Sequence, residues 1–457
     1  MARTNTPTAP TSGKTHEGAP ARRISAEQEL ERSVLSCLLW EGEFYEDGGS
    51  IGQRIERLAQ EVAPQKVAAL AVRARSEFHL RHVPLWLCVG LARRGALKVQ
   101  TLTDVIQRAD EMGEFLALYW RDGRVPLAAV VKRGLAGAFP KFDAYQLGKY
   151  DRADAVRLRD VMFLTHPTPK DEEQAAMWKS LVDGTLPAPD TWEVALSGGA
   201  NKRGAWERLL AEKRLGAMAL IRNLRNMVAA DVPLATIREG LVGTKPDRVL
   251  PFRFISAAQA VPQLELELDT LMLRCCEQLP KLEGETVLVI DVSGSMYGSA
   301  ISKYSEMDRA YAACALGALV REVCTSADIY ATAGNDGARV HATARVPARR
   351  GMALVDAVYN MCRPLGGGGI FLKQCLDAIW VERREKAADR VIVITDEQDC
   401  DNQAGGSPLH ARQIAPKQYM LNVASNERGV GYGPWTHLDG FSEAVLQYIA
   451  AMEHADG

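Results

Sequence analysis

Thr286-Val-Leu-Val-Ile-Asp291-Val-Ser293-Gly-Ser295-Met296 is the stretch on which the reading of this 457-residue chain turns. After Thr286, four strand-forming residues, Val287 to Ile290, run continuously apolar into a polar turn, the pattern of a strand buried on both faces. Downstream the pattern alternates: DRAYAACALGALVREV (308–323) has helical spacing, and ADIYATAG (327–334), RVIVIT (390–395) and KQYMLNVAS (417–425) read as strands separated by helices. Such alternation predicts an α/β, doubly wound, Rossmann-like parallel sheet, whose ligand sites lie at the C-terminal ends of its strands. Upstream, from Ser25 onward, the period is helical. SAEQELERSVLSCLLW (25–40) opens with a Ser cap, and IGQRIERLAQEV, QKVAALAVRARSE, PLWLCVGLARRG, LTDVIQRADEMGEFLALYW and PLAAVVKRGLAGAF follow between short Pro, Gly or charged breaks. Helix pairs at intervals of about 40 residues are the pattern of stacked HEAT-type repeats.

The turn after the first strand reads D-x-S-x-S. Asp291, Ser293 and Ser295 place a carboxylate and two hydroxyls on one loop, and Asp396, directly after RVIVIT, is expected from the neighbouring strand end. All are oxygen donors, which suits a hard divalent cation such as Mg2+ with water or a partner's carboxylate completing its shell. A phosphatase using an aspartyl nucleophile would need a second Asp where Ser293 stands, and a serine hydrolase would need a G-x-S-x-G elbow. Neither pattern is present, so the expected chemistry is binding without catalysis.

Composition sets further bounds. Hydrophobic residues make up 47% and charged residues 25% of the chain, as in packed globular proteins, and no apolar run approaches the length of a membrane span. A cytoplasmic location is expected. The nine cysteines show no C-x-x-C pairing, and Cys37, Cys88 and Cys314 lie in apolar contexts that suggest buried free thiols. Net charge is uneven: residues 22–262 hold 35 Lys/Arg against 30 Asp/Glu, and residues 263–457 hold 18 against 26. A polyanion would therefore bind the first half.

The D-x-S-x-S loop with Asp396 resembles the metal-ion-dependent adhesion site of von Willebrand factor A domains. That resemblance covers roughly residues 284–457 and departs from the family in one element. The loop that normally contributes a Thr is here Gly366-Gly-Gly-Gly369-Ile-Phe371. The helical half resembles the TROVE module of the Ro autoantigen family through three stretches: Arg81-His-Val-Pro-Leu-Trp86, Lys141 to Arg152 with Arg157 to Pro167, and Arg214 to Met227. The resemblance implies a HEAT-like helical ring that takes the single-stranded end of structured or misfolded RNA, with small Y-like noncoding RNA bound outside. It also implies an exoribonuclease partner and a ribonucleoprotein containing one copy of the chain. By motif position, Lys149 and His166 match RNA-contacting positions of the family. Arg152 stands beside one, whose alignment falls on Ala153. The expected organisation is a disordered tail (1–23), a TROVE helical repeat domain (24–262), a connecting segment (263–283) and an A-like domain (284–457). The competing reading is a protein–protein adaptor without RNA.

Overall fold

The computed structural model describes residues 25–36, 48–77, 80–151, 156–187, 192, 196, 201–246, 249–297, 307–396, 399–400, 412–423, 435–439 and 444–455. The expected tail, Cys37 and Arg152 lie outside the described residues. The described chain divides into two compact units, one up to Arg214 and one from Leu215 onward. The change of period near Gly284 thus marks where strands begin, whereas the change of unit falls earlier, so the helices between Ala217 and Glu277 pack in the same unit as the sheet.

The first unit is helical. Its core is built by side chains spaced three and four apart, among them Leu85, Leu102, Met112, Phe115, Val131, Leu135 and Phe139, each fully buried. Burial of each such side chain contributes about 1.5–3 kcal/mol. At Gly134 a Cβ would stand 2.8 Å from Leu102 Cδ2, so the helix Ala129–Ala138 approaches Val99–Val105 closely only because that position is bare. One expected helix, 102–120, is two: Val99–Val105 and Asp110–Tyr119. The physical reason is Glu111, whose Oε2 accepts hydrogen bonds from the Gln107 and Arg108 backbone N–H groups (2.8 and 3.0 Å) while Oε1 takes Arg75 Nη2 (2.8 Å). This buried carboxylate satisfies backbone donors that a helix start would leave orphaned.

The second unit holds a six-stranded sheet in the order β3-β2-β1-β4-β5-β6, with β1 Leu282–Asp291, β2 Cys324–Asn335, β3 Val340–Arg345, β4 Arg390–Thr395, β5 Lys417–Asn422 and β6 Thr436–Asp439. All pairings are parallel except β2 with β3. The sheet is therefore mixed and not purely parallel: a tight turn capped by Asn335 Oδ1, which accepts from Ala338 N–H (2.9 Å), returns the chain as an antiparallel edge. Helix Leu372–Glu382 covers one face through Leu372, Cys375, Leu376 and Ile379 against Val287, Val289, Val391 and Val393. Helix Arg309–Val323 covers the other, where a Cβ on Gly317 would fall 2.4 Å from Ile290 Cδ1. β1 and β4 are neighbours although not consecutive, so the chain winds away from them in opposite directions. The crevice between their C-terminal ends is the topological switch point.

Candidate functional site

β1 ends at Asp291, and parallel register sets Ile290 opposite Ile394, so Thr395 faces Asp291 and Asp396 follows one residue on. Asp291, Ser293 and Asp396 are fully buried, and Ser295 is half-buried. Asp291 Oδ1 accepts the Ser293 backbone N–H (2.8 Å) and Oδ2 accepts Thr395 Oγ1 (2.7 Å), while the Ser293 and Ser295 hydroxyls stand 3.2 Å apart. Burial, together with the neighbouring charge of Asp396, raises the Asp291 carboxyl to about 7 despite the hydrogen bonds from Thr395 and Ser293, which act in the opposite direction. Arg309, at the start of its helix, places Nη1 4.0 Å from Asp396 Oδ2.

The glycine loop forms the remaining wall. Gly294 N–H donates to Gly368 O and Gly368 N–H to Gly334 O (3.0 Å each), so the loop is bonded to both the D-x-S-x-S turn and the end of β2. A Cβ on Gly294 would lie 2.5 Å from Gly367 O, and Gly366 and Gly367 hold φ of +94° and +66°, a region costly for other residues. The loop thus contributes backbone where the adhesion-site pattern has a Thr hydroxyl. Among the described residues no three His, Cys, Asp or Glu side chains gather as a metal cluster. A cation here would rest on two carboxylates with hydroxyls, a donor set of the kind Mg2+ takes along with water.

The structure brings the four expected residues, Asp291, Ser293, Ser295 and Asp396, to one crevice. Sequence reading missed Thr395, although in-register pairing of VLVID with VIVIT would have set it opposite Asp291. It also missed Arg309. Cys88 and Cys314 are buried as expected, whereas Cys362 and Cys400 are half-exposed.

In the helical unit, Lys149 lies on the short helix Ala144–Tyr150, which Asp143 and Gln146 open with a reciprocal capping box. Its Nζ stands 5.8 Å from the Tyr145 ring centre and 5.7 Å from that of Tyr150, and Arg108 lies 4.5 Å from the latter. His166 ends the helix Leu158–Thr165 in the left-handed region (φ 48°), its N–H bonded to Met162 O (2.9 Å), with Pro167 blocking continuation. Its side chain is exposed, as is Phe163 three residues earlier at 60%. Both helices pack against Glu172–Asp183. Phe163 was legible in principle: Leu158, Val161 and Thr165 define the inner face of that helix, and Phe163 falls off it. Trp206 is core, and Trp86 is half-buried beneath the Arg121 guanidinium (4.3 Å).

The fold defines a helix-rich protein with a mixed α/β sheet whose switch point carries paired carboxylates. Comparison with known proteins narrows the class. The TROVE domain family model matches residues 177–360, which include Arg214 to Met227 and the D-x-S-x-S loop, while Lys149 and His166 precede the match. Telomerase protein component 1 of Mus musculus is 34% identical over 89 residues, and that of Rattus norvegicus 33% over 89; each alignment takes 18% of this chain and 3% of the relative. The chain thus spans 3% of the length of these curated relatives. The crystal structure of Deinococcus radiodurans RO (RSR) protein shares the fold with a TM-score of 0.63 at 18% identity, over 95% of this chain and 100% of that one. The resemblance to the TROVE-module, Ro-type family is borne out by these matches.

Proposed function

We propose that this chain is a non-catalytic RNA-binding protein of the Ro ribonucleoprotein type, with a HEAT-like helical half that takes noncoding RNA and a von Willebrand factor A-like half that carries a divalent-cation site. The observation that carries the reading is the TROVE match over residues 177–360, together with the Ro-like fold. The chemistry of the helical unit agrees with it. Lys149 beside exposed Tyr145, and exposed His166 three residues after exposed Phe163, offer phosphate-seeking donors together with rings on which unpaired bases stack. Y-like RNA and ends of misfolded RNA are the proposed ligands, in the cytoplasm, with one copy of the chain per particle and an exoribonuclease as partner in quality control.

Mg2+ is the proposed ion, held by Asp291, Asp396, Ser293 and Ser295, with an open position for water or a partner's carboxylate. Bound there, it would supply the positive charge that two buried carboxylates need. Asp291→Ala is expected to abolish a magnesium-dependent rise in melting temperature while leaving RNA affinity within about twofold, given that the two sites lie in different units. Absence of any shift in the wild-type protein at millimolar magnesium would remove the metal claim. Gel shifts with an RNA carrying a structured body and a free single-stranded 3′ end, against a blunt duplex, test the RNA claim. Equal failure of both to bind at low salt would favour the adaptor reading.

A further inference from the structure

We propose that Arg309 is a tethered cation that stands in for a divalent ion at the Asp291–Asp396 pair, so that a metal enters this site only by displacing the guanidinium. The inference rests on the metal-site reading above. Two carboxylates buried to 0% exposure at one crevice repel each other, and such a pair persists in the fold only with compensation. Asp291 receives it from hydrogen bonds, since both its oxygens accept, from Ser293 N–H and Thr395 Oγ1. Asp396 receives charge: Arg309 Nη1 stands 4.0 Å from its Oδ2.

Local structure fixes Arg309 at this place. Asp308 caps its helix, Oδ1 accepting Tyr311 N–H (2.7 Å), while Oδ2 accepts the Tyr359 hydroxyl (2.9 Å). Tyr359 O in turn accepts the Tyr297 hydroxyl (2.6 Å), which belongs to the residue directly after Met296 of the D-x-S-x-S turn. The first residue of the helix is thereby coupled to the turn, and its side chain is aimed at the neighbouring strand end. Yet the Arg309 side chain keeps 26% of its surface in solvent, so it has a path outward that Asp396 lacks. The sequence departs from the adhesion-site pattern in a matching sense, because the glycine loop 366–369 contributes backbone and no hydroxyl. A divalent ion at this site would have one neutral ligand fewer and a fixed cation beside its second carboxylate. Mg2+ binds oxygens at about 2.1 Å and dehydrates reluctantly, so an arginine facing the same carboxylate opposes it by charge.

The full-length protein is titrated with MgCl2 at constant ionic strength, followed by calorimetry and by thermal melts, for the wild type, Arg309→Gln, Asp291→Ala and Asp396→Asn. Arg309→Gln is expected to tighten Mg2+ binding by about tenfold, and to melt below the wild type in chelator, because the buried carboxylate loses its counter-charge. In an Asp396→Asn background the same change should cost much less. If the wild type binds Mg2+, Asp291→Ala abolishes binding, and Arg309→Gln leaves the affinity unchanged, the inference falls and the metal site stands. If neither the wild type nor Arg309→Gln binds, both fall. Should Arg309→Gln not fold, Arg309→Met removes the charge while keeping an apolar stem, and an Mg2+ affinity identical to the wild type there, with no change in the chelator melt, overturns the proposal.

Discussion

His166 occupies a conformation that L-residues avoid, at a cost of roughly 1 kcal/mol, although histidine tolerates it better than most. Glycine bears no such cost. His166→Gly is therefore expected to leave stability unchanged or raise it by about 0.5–1 kcal/mol, while RNA affinity falls because the exposed ring is gone. Denaturant unfolding and gel shifts on the same preparation separate the two effects. A loss of both would mark His166 as a cap only. Lys149 and Phe163 divide along another line. Neutralising Lys149 should lower the slope of log affinity against log salt by roughly 0.7 to 0.9, whereas Phe163→Ala should weaken binding by about 1–3 kcal/mol with the slope unchanged. Identical salt slopes for wild type and Lys149→Gln would place the phosphate contacts elsewhere.

Strands and helices were legible to different degrees for physical reasons. RVIVIT is buried on both faces and is strand from Arg390 to Thr395, since a continuous apolar run has no alternative face to offer solvent. The edge strand Val340–Arg345 escaped because one side of it needs no partner and its residues are mostly polar or half-exposed. The helix break at 106–109 escaped because it depends on Glu111 finding Arg75, a contact 36 residues away that no local pattern encodes. The metal-type crevice was readable at Asp291, Ser293, Ser295 and Asp396 because they lie at strand ends, but Arg309 reaches it from a helix and carries no local signal. At the other end of the sheet, Arg390 is buried and bonded to Thr286 Oγ1 (2.9 Å) and Glu453 (2.8 and 2.7 Å), and Lys417 joins the same carboxylate (2.8 Å). Burial alone would raise the Glu453 carboxyl, but the bonds from Arg390 and Lys417 outweigh it and hold the group below its ordinary value. A depressed folded-state carboxylate stabilises above its unfolded value and loses that contribution as pH falls through the folded one. Glu453→Gln should thus cost about 2–4 kcal/mol at neutral pH, and its deficit against the wild type should shrink below about pH 4. Urea midpoints across that range would measure it, and a deficit independent of pH would assign the effect to packing.

At the scale of the molecule, chemistry and compactness divide the chain at different points. Charge composition places a boundary near 262 and the change of period places one near 284, yet the compact units divide between Arg214 and Leu215. The helices Ala217–Ala229, Leu234–Val242 and Phe252–Ala260 bury Leu220, Leu224, Ile237, Leu241, Phe254 and Ile255 within the unit that holds the sheet. Partners of those faces include the helices Glu265–Glu277 and Arg309–Val323. A fragment cut at 262 keeps the three helices and removes these partners, leaving apolar faces open to water at a cost of roughly 25 cal/mol per Å2. A fragment cut at Arg214 leaves the first unit's own core whole. The shorter fragment is therefore expected to unfold in one cooperative transition and to leave a hydrophobic dye dark, while the longer one binds the dye and melts broadly. Circular dichroism melts and dye fluorescence on both would decide, and a longer fragment that is the more cooperative of the two would show that residues 215–262 belong energetically with the helices before them.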